Sequence, residues 1–223
     1  EMLETTEYYF RLNMYVVLAC ATGLYFLAEP IVDLFFRRGQ FSDLDTQLTA
    51  QVIQVWALIM IPASCVRILA PAYYAVKNTW LPAVVSLVSL VGHYFLAPIL
   101  MAKWGLTGLN YSSLASSVFN FSILFLMFPI FIGFIPIKKL SVSLVKYIVI
   151  CSLMGIALQV HPWFKQMFIN DWHFIAKASV LFISITIAGI VFILTSRVLK
   201  MDEYETTFAK IINRMTKKLG LKK

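Results

Sequence analysis

Arg67 is the residue best suited to bind a charged ligand. It lies within a long apolar run, about nine residues from the run's end, or roughly 13 Å along a helix. An ionisable side chain inside an apolar span costs free energy unless it is paired or faces water. A guanidinium offers a planar fork of donors that matches phosphate in a bidentate way. Arg67 therefore either binds an anion in a polar cavity or pairs with a carboxylate or backbone carbonyls of a neighbouring helix. Glu29 and Asp33 are four apart and share a helix face, with Pro30 between them loosening the turn. They sit either in interfacial water or in a site for a proton, a cation or an arginine partner. His93 falls in the middle of an apolar run, as a packing histidine or a cavity donor. Gln47, Gln51 and Gln54 recur at i, i+4 and i+7, the spacing of one hydrated helix wall. Asn110 and Asn120, with Ser112, Ser113, Ser116 and Ser117, form a stripe of small and polar residues. Such stripes let membrane helices approach closely, and lining a cavity is the second option.

Catalysis finds no residues here. There is no Ser/His/Asp arrangement, no HExxH and no P-loop. Cys20, Cys65 and Cys151 each sit in apolar surroundings with no CxxC and no histidine at ligand spacing. The sequence thus points to no enzyme, no metal and no cofactor.

The elements that carry these residues are membrane spans. Of 223 residues, 60% are hydrophobic and only 13% charged. A soluble domain is usually about a quarter charged, so a soluble globule and a disordered chain are both excluded. Six apolar segments cover about 12–36, 48–76, 81–102, 109–134, 142–160 and 174–199. Each is long enough to cross about 30 Å of hydrocarbon as a helix. Continuous rather than alternating apolarity favours helices over barrel strands. Trp80, Trp104, Trp163 and Trp172 fall at segment ends, where indole prefers the headgroup zone; Trp56 is internal. The expected fold is all-α, a polytopic bundle of six transmembrane helices. Pro62, Pro71 and Pro98 mark places where such helices kink.

Orientation follows from the short loops. Lys77, Lys138, Lys139 and seven basic residues after Leu199 share one side, against Arg37, Arg38, Lys103 and Lys165 on the other. The positive-inside rule then puts the C-terminus in the cytoplasm and reads the +8 net charge as topology, not nucleic-acid binding. Arg37-Arg38 is discordant and needs another reason. In the tail, Phe208, Ile211, Ile212, Met215 and Leu219 recur at helical spacing among lysines. That pattern suits a basic helix on anionic membrane lipids, and equally a plain positive-inside anchor. Lys146 can snorkel to the inner surface. The chain begins with Glu1 and its first residues carry Glu4 and Glu7, so it is read as a piece of something longer.

Between Leu34 and Pro82 the sequence resembles one family. Leu34-Phe35-Phe36-Arg37-Arg38-Gly39-Gln40-Phe41 resembles the LF-x-x-G-x-F loop of the MurJ (MviN) family, and Asp45-Thr46 matches the Asp that follows it. Arg67-Ile68-Leu69-Ala70-Pro71-Ala72-Tyr73-Tyr74 is similar to the family's K-V-L-A-P-x-F-Y element, with Arg for Lys. Pro82, Gly105-Leu106 and Asn120 match further positions, whereas Leu81 and His93 depart from the usual Thr and Asn. The resemblance implies lipid II flippases of the bacterial inner membrane, in the superfamily of MATE exporters. It implies that this chain is the later part of a two-lobed transporter: residues 1–135 as four helices of the C-terminal lobe, 136–199 as two added helices grooved for the polyprenyl tail, and 200–223 as a basic cytoplasmic tail. The implied partners are lipid II, membrane lipids and the missing N-terminal lobe. Transport is expected by alternating access around a hydrated cavity, to which Arg67, Gln51, Gln54, His93 and Asn120 would contribute, with Glu29 and Asp33 as charge partners. A lipid-linked oligosaccharide flippase, a drug exporter of the same superfamily, or a non-transporting scaffold for cell-wall enzymes are the competing readings.

Overall fold

In the computed structural model, which describes residues 2–134, 137–163 and 174–208, apolar sequence becomes helix almost throughout. Without water to satisfy them, backbone N–H and C=O groups in hydrocarbon must bond within the segment, and a helix does this locally. The elements are α1 (Met2–Phe26), α2 (Ala28–Phe35), α3 (Asp43–Ala75), α4 (Trp80–Phe131), α5 (Ile137–Leu158) and α6 (Phe174–Val198), followed by a π-helical turn, Tyr204–Phe208. Among the described residues four helices are long and apolar enough to cross a membrane, or five with α1–α2 counted as one bent span.

The first apolar segment is not one straight helix. It starts ten residues early, at Met2, and breaks at Leu27, where α1 and α2 meet at 61°. Pro30 explains the break: it has no N–H for the Phe26 carbonyl and sits in the first turn of α2, where none is required. α3 begins with a capping box, Ser42 Oγ accepting from the Asp45 N–H while the Asp45 carboxylate accepts from the Ser42 N–H at 2.9 Å. Pro62 and Pro71 leave α3 a single helix.

The third and fourth apolar segments form the 52-residue α4, which reverses at Gly105 (φ 60, ψ −140). Hydrogen bonds pair Ser112 with His93, Ser116 with the Ser89 carbonyl and Asn120 with Ser86, so its two arms run antiparallel. The serine stripe is the seam of this hairpin, with Ser89 and Ser112 buried. All six apolar segments are therefore helical.

α1 lies antiparallel to α3, through Asn13 to Ser64 and Gln54 to Tyr25, and parallel to α5, through Tyr147 to Arg11. The main core joins Phe10, Tyr15, Cys65, Leu69, Tyr73, Leu124, Phe128, Tyr147 and Met201. Tyr73, wholly buried, donates to the Leu124 carbonyl at 2.6 Å and ties α3 to the second arm of α4. Tyr73→Phe is expected to lower stability by about 1 kcal/mol; unchanged thermal unfolding of the purified chain would show that bond to be idle.

Candidate functional site

The residues singled out above fall into three places rather than one. At the end of the bundle where α3 finishes, Arg67 lines an open cleft of about 630 Å³ between α1 and α3. Thr5, Thr6 and Tyr9 of α1 face it, with Ile68, Pro71 and Ala72 as apolar wall. The Arg67 side chain is exposed, and no carboxylate or carbonyl holds its guanidinium among the described residues. The alternative in which a neighbouring helix pairs Arg67 finds no partner for it among the described residues.

At the opposite end, Glu29, Asp33, Gln54, His161 and Lys177 line a polar pocket of about 310 Å³. Asp33, 7% exposed, takes Lys177 Nζ at 2.8 Å on one oxygen and Arg37 Nη1 at 3.1 Å on the other. Arg37 continues to Asp43 at 2.6 Å, and Arg38 lies over the Phe174 ring at 5.4 Å. The discordant Arg37-Arg38 pair is thereby explained: both cations brace the junction of α2 with α3 and α6. Glu29 and Asp33 both line this pocket, Glu29 exposed and Asp33 buried against its two cations. Gln54 bonds the Tyr25 carbonyl as it lines the pocket, while Gln47 and Gln51 are exposed.

The third place is the α4 hairpin. Ser112 Oγ gives its proton to the Leu109 carbonyl, leaving its lone pairs for His93 Nδ1 at 2.9 Å. Asn120 Nδ2 bonds Ser86 while its Oδ1 is buried without a partner among the described residues. Trp56 Nε1 donates to Asn110 Oδ1 at 2.7 Å, which gives the one internal tryptophan a job of pinning α3 to α4. Hydrogen bonds tie His93 and Asn120 into the seam, apart from Arg67, and His93 also lines an apolar pocket of about 770 Å³ along the first arm. Among the described residues no group of three or more His, Cys, Asp or Glu could hold a metal ion.

Two further features stand apart, and sequence reasoning missed the second. An apolar groove of about 330 Å³ runs between α1, α5 and α6, floored by small residues such as Ala19, Gly23, Ala188 and Gly189. Its walls draw on α1 as well as on α5 and α6. The other is a cluster around Glu203, which is 2% exposed and takes Arg11 Nη2 at 2.7 Å and the Tyr147 hydroxyl at 2.9 Å. The segment just after α6 is thus seated in the bundle. Its signal was the Asp202-Glu203 pair interrupting a basic stretch, and Arg11 beside an apolar run. The amphipathic pattern beyond Phe208 lies outside the described residues, as does the end at Trp172.

The family model described as lipid II flippase MurJ matches residues 1–183. A probable lipid II flippase MurJ of Bdellovibrio bacteriovorus is 39% identical over 158 residues, covering 71% of this chain and 30% of that relative. The corresponding Buchnera aphidicola protein is 26% identical over 190 residues, 85% of this chain and 37% of its own length. The chain spans about a third of the length of these curated relatives. A solved structure, lipid II flippase MurJ in an inward closed conformation, superposes with a TM-score of 0.70 at 20% identity, over 89% of this chain and 40% of that one. That likeness shows the fold: a multi-pass all-helical membrane bundle. With the family model matching most of its residues, the chain belongs to the lipid II flippase MurJ family.

Proposed function

We propose that this chain is the C-terminal part of a lipid II flippase that works by alternating access in the bacterial inner membrane, its C-terminus cytoplasmic. A pyrophosphate-linked sugar cannot pass through hydrocarbon unaided, because burying unpaired charge costs many kcal/mol. A flippase therefore needs a polar path for the head and an apolar one for the tail. The observation that carries the reading is Arg67, a cation without a partner among the described residues, lining an open cleft between α1 and α3. In this reading its guanidinium meets the anionic head at the cytoplasmic side, while the groove between α1, α5 and α6 takes the polyprenyl chain. Residues 1–135 then supply lobe helices, and 136–199 the added pair that completes the groove. The rest of the transporter rocks against this part.

The test is rescue by the full-length protein in cells depleted of their own flippase. Wild type is expected to restore lipid II translocation, and failure would overturn the reading. Arg67→Ala should lower rescue about tenfold, the worth of roughly one charged hydrogen bond, while Arg67→Lys keeps most of it. Equal rescue by Ala would reduce Arg67 to a surface arginine.

A further inference from the structure

The chain does not leave the bundle where α6 ends. Lys200 adopts φ 46, the backbone reverses, and residues 201–204 re-enter the core. Met201 is 2% exposed and Tyr204 packs in the same cluster. Glu203 meets Arg11 of α1 and Tyr147 of α5 through one oxygen, Oε1. Asp202 adds a second carboxylate to Arg11 at 3.2 Å. Lys146 Nζ donates to the Leu199 carbonyl at 3.1 Å and Tyr8 to Thr206 at 3.3 Å. The returning segment thus crosses from α6 to both α1 and α5.

Its position relative to the apolar groove gives these contacts a meaning. Val16 and Phe192 are the groove's last lining residues on α1 and α6 toward this end. Immediately beyond them, Tyr15 donates to Ser196 Oγ at 2.7 Å and stacks near Phe192, centroids 4.8 Å apart. One turn further lies the Arg11–Glu203 pair. The groove is therefore stopped by Tyr15, and the stopper is backed by the returning segment.

We propose that residues 200–206 form a strap, latched by Arg11 and Glu203, that closes this end of the groove and opens to lengthen it for a lipid chain. The proposal rests on the reading of the groove as a tail site. The latch is built to open. Arg11 Nε and Glu203 Oε2 are buried with no hydrogen-bond partner among the described residues. A buried ion pair with unsatisfied atoms gains little over its desolvation cost, and an apolar pair of similar volume would hold more tightly.

Two readouts on the full-length chain, with its other cysteines replaced by alanine, test this. In the first, a water-soluble maleimide labels the purified protein in lipid nanodiscs. Met201→Cys should react at least about tenfold more slowly than the exposed control Glu205→Cys, and Glu203→Gln should remove most of that protection. Equal rates at the two positions, or no response to Glu203→Gln, would overturn the strap. In the second, Arg11→Leu/Glu203→Leu should keep Met201→Cys protected yet lower depletion rescue about tenfold, because the strap stays shut. Full rescue by this protected variant would overturn the gate. Labelling is read without substrate, so it stands apart from the flippase reading, which fails only if wild type does not rescue.

Discussion

Replacing Asp33 by asparagine is expected to cost about 3 kcal/mol of stability, the lower end of what breaking a buried ion pair removes. Asp33 faces Lys177, 15% exposed, at 2.8 Å and Arg37 at 3.1 Å. The amide would keep the shape of the carboxylate and lose its charge, so two cations would be left against a neutral group. The measurement is thermal unfolding of the purified full-length chain, which should begin several degrees lower. The pair is then isolated by Asp33→Leu with Lys177→Met. Removing both charges takes away the mismatch, and the double variant should recover more than half of the loss. If Asp33→Asn unfolds like wild type, the network is a surface decoration and α2 is held by Leu34 and Val32 packing alone. If the double variant is no better than the single, the loss came from Arg37, which still reaches Asp43 at 2.6 Å. Glu29→Gln, four residues earlier and exposed, should change little, which distinguishes burial from charge at the same helix end.

That contrast also shows what a single sequence can reveal. The apolar runs were legible because hydrocarbon forces each into a helix, whatever its neighbours. The break at Leu27 was legible through Pro30. Pro62 and Pro71 carried the same local signal without a comparable break, because neighbours in a packed bundle can accommodate the freed carbonyls. Pairings between distant segments left no local trace. Lys177 sits three residues into an apolar run, and nothing near it in the chain announces Asp33 as its partner. Glu203 was hidden for a similar reason: counted with the residues around it, it belongs to a basic tail, and only the return of the chain brings it to Arg11. His93 and Asn120 show the converse. Their polarity in an apolar run reads as a cavity, while the fold also gives each a partner across the hairpin seam, because antiparallel arms can bond a mid-span polar group without water.

The hairpin depends most on Gly108, and Gly108→Ala is the second substitution expected to be severe. A Cβ at Gly108 would run into the Leu100 carbonyl oxygen, with the Leu100 carbon and Met101 nitrogen close behind. These are backbone atoms, so no rotamer change relieves the overlap; the two arms would have to part. The expected loss is about 3 kcal/mol, at the upper end of overpacking costs. It should appear as poor recovery of monodisperse protein and a lowered unfolding temperature. The seam predicts a further consequence. Parting the arms at Gly108 lengthens the bonds just beyond it, from Ser112 to His93 and from Asn120 to Ser86. His93 should therefore react faster with a water-soluble histidine reagent in the variant. Gly105→Ala has a different mechanism: its Cβ would meet nothing, but φ 60 with ψ −140 is a glycine conformation, so the expected cost is about 1–3 kcal/mol of backbone strain. Gly92→Ala is the control. It lies in the first arm with open space around its Cβ, and alanine is the better helix former there. If Gly108→Ala were recovered as well as Gly92→Ala, the close approach of the arms would be wrong. His93 and Asn120 would then be better read as cavity wall than as seam.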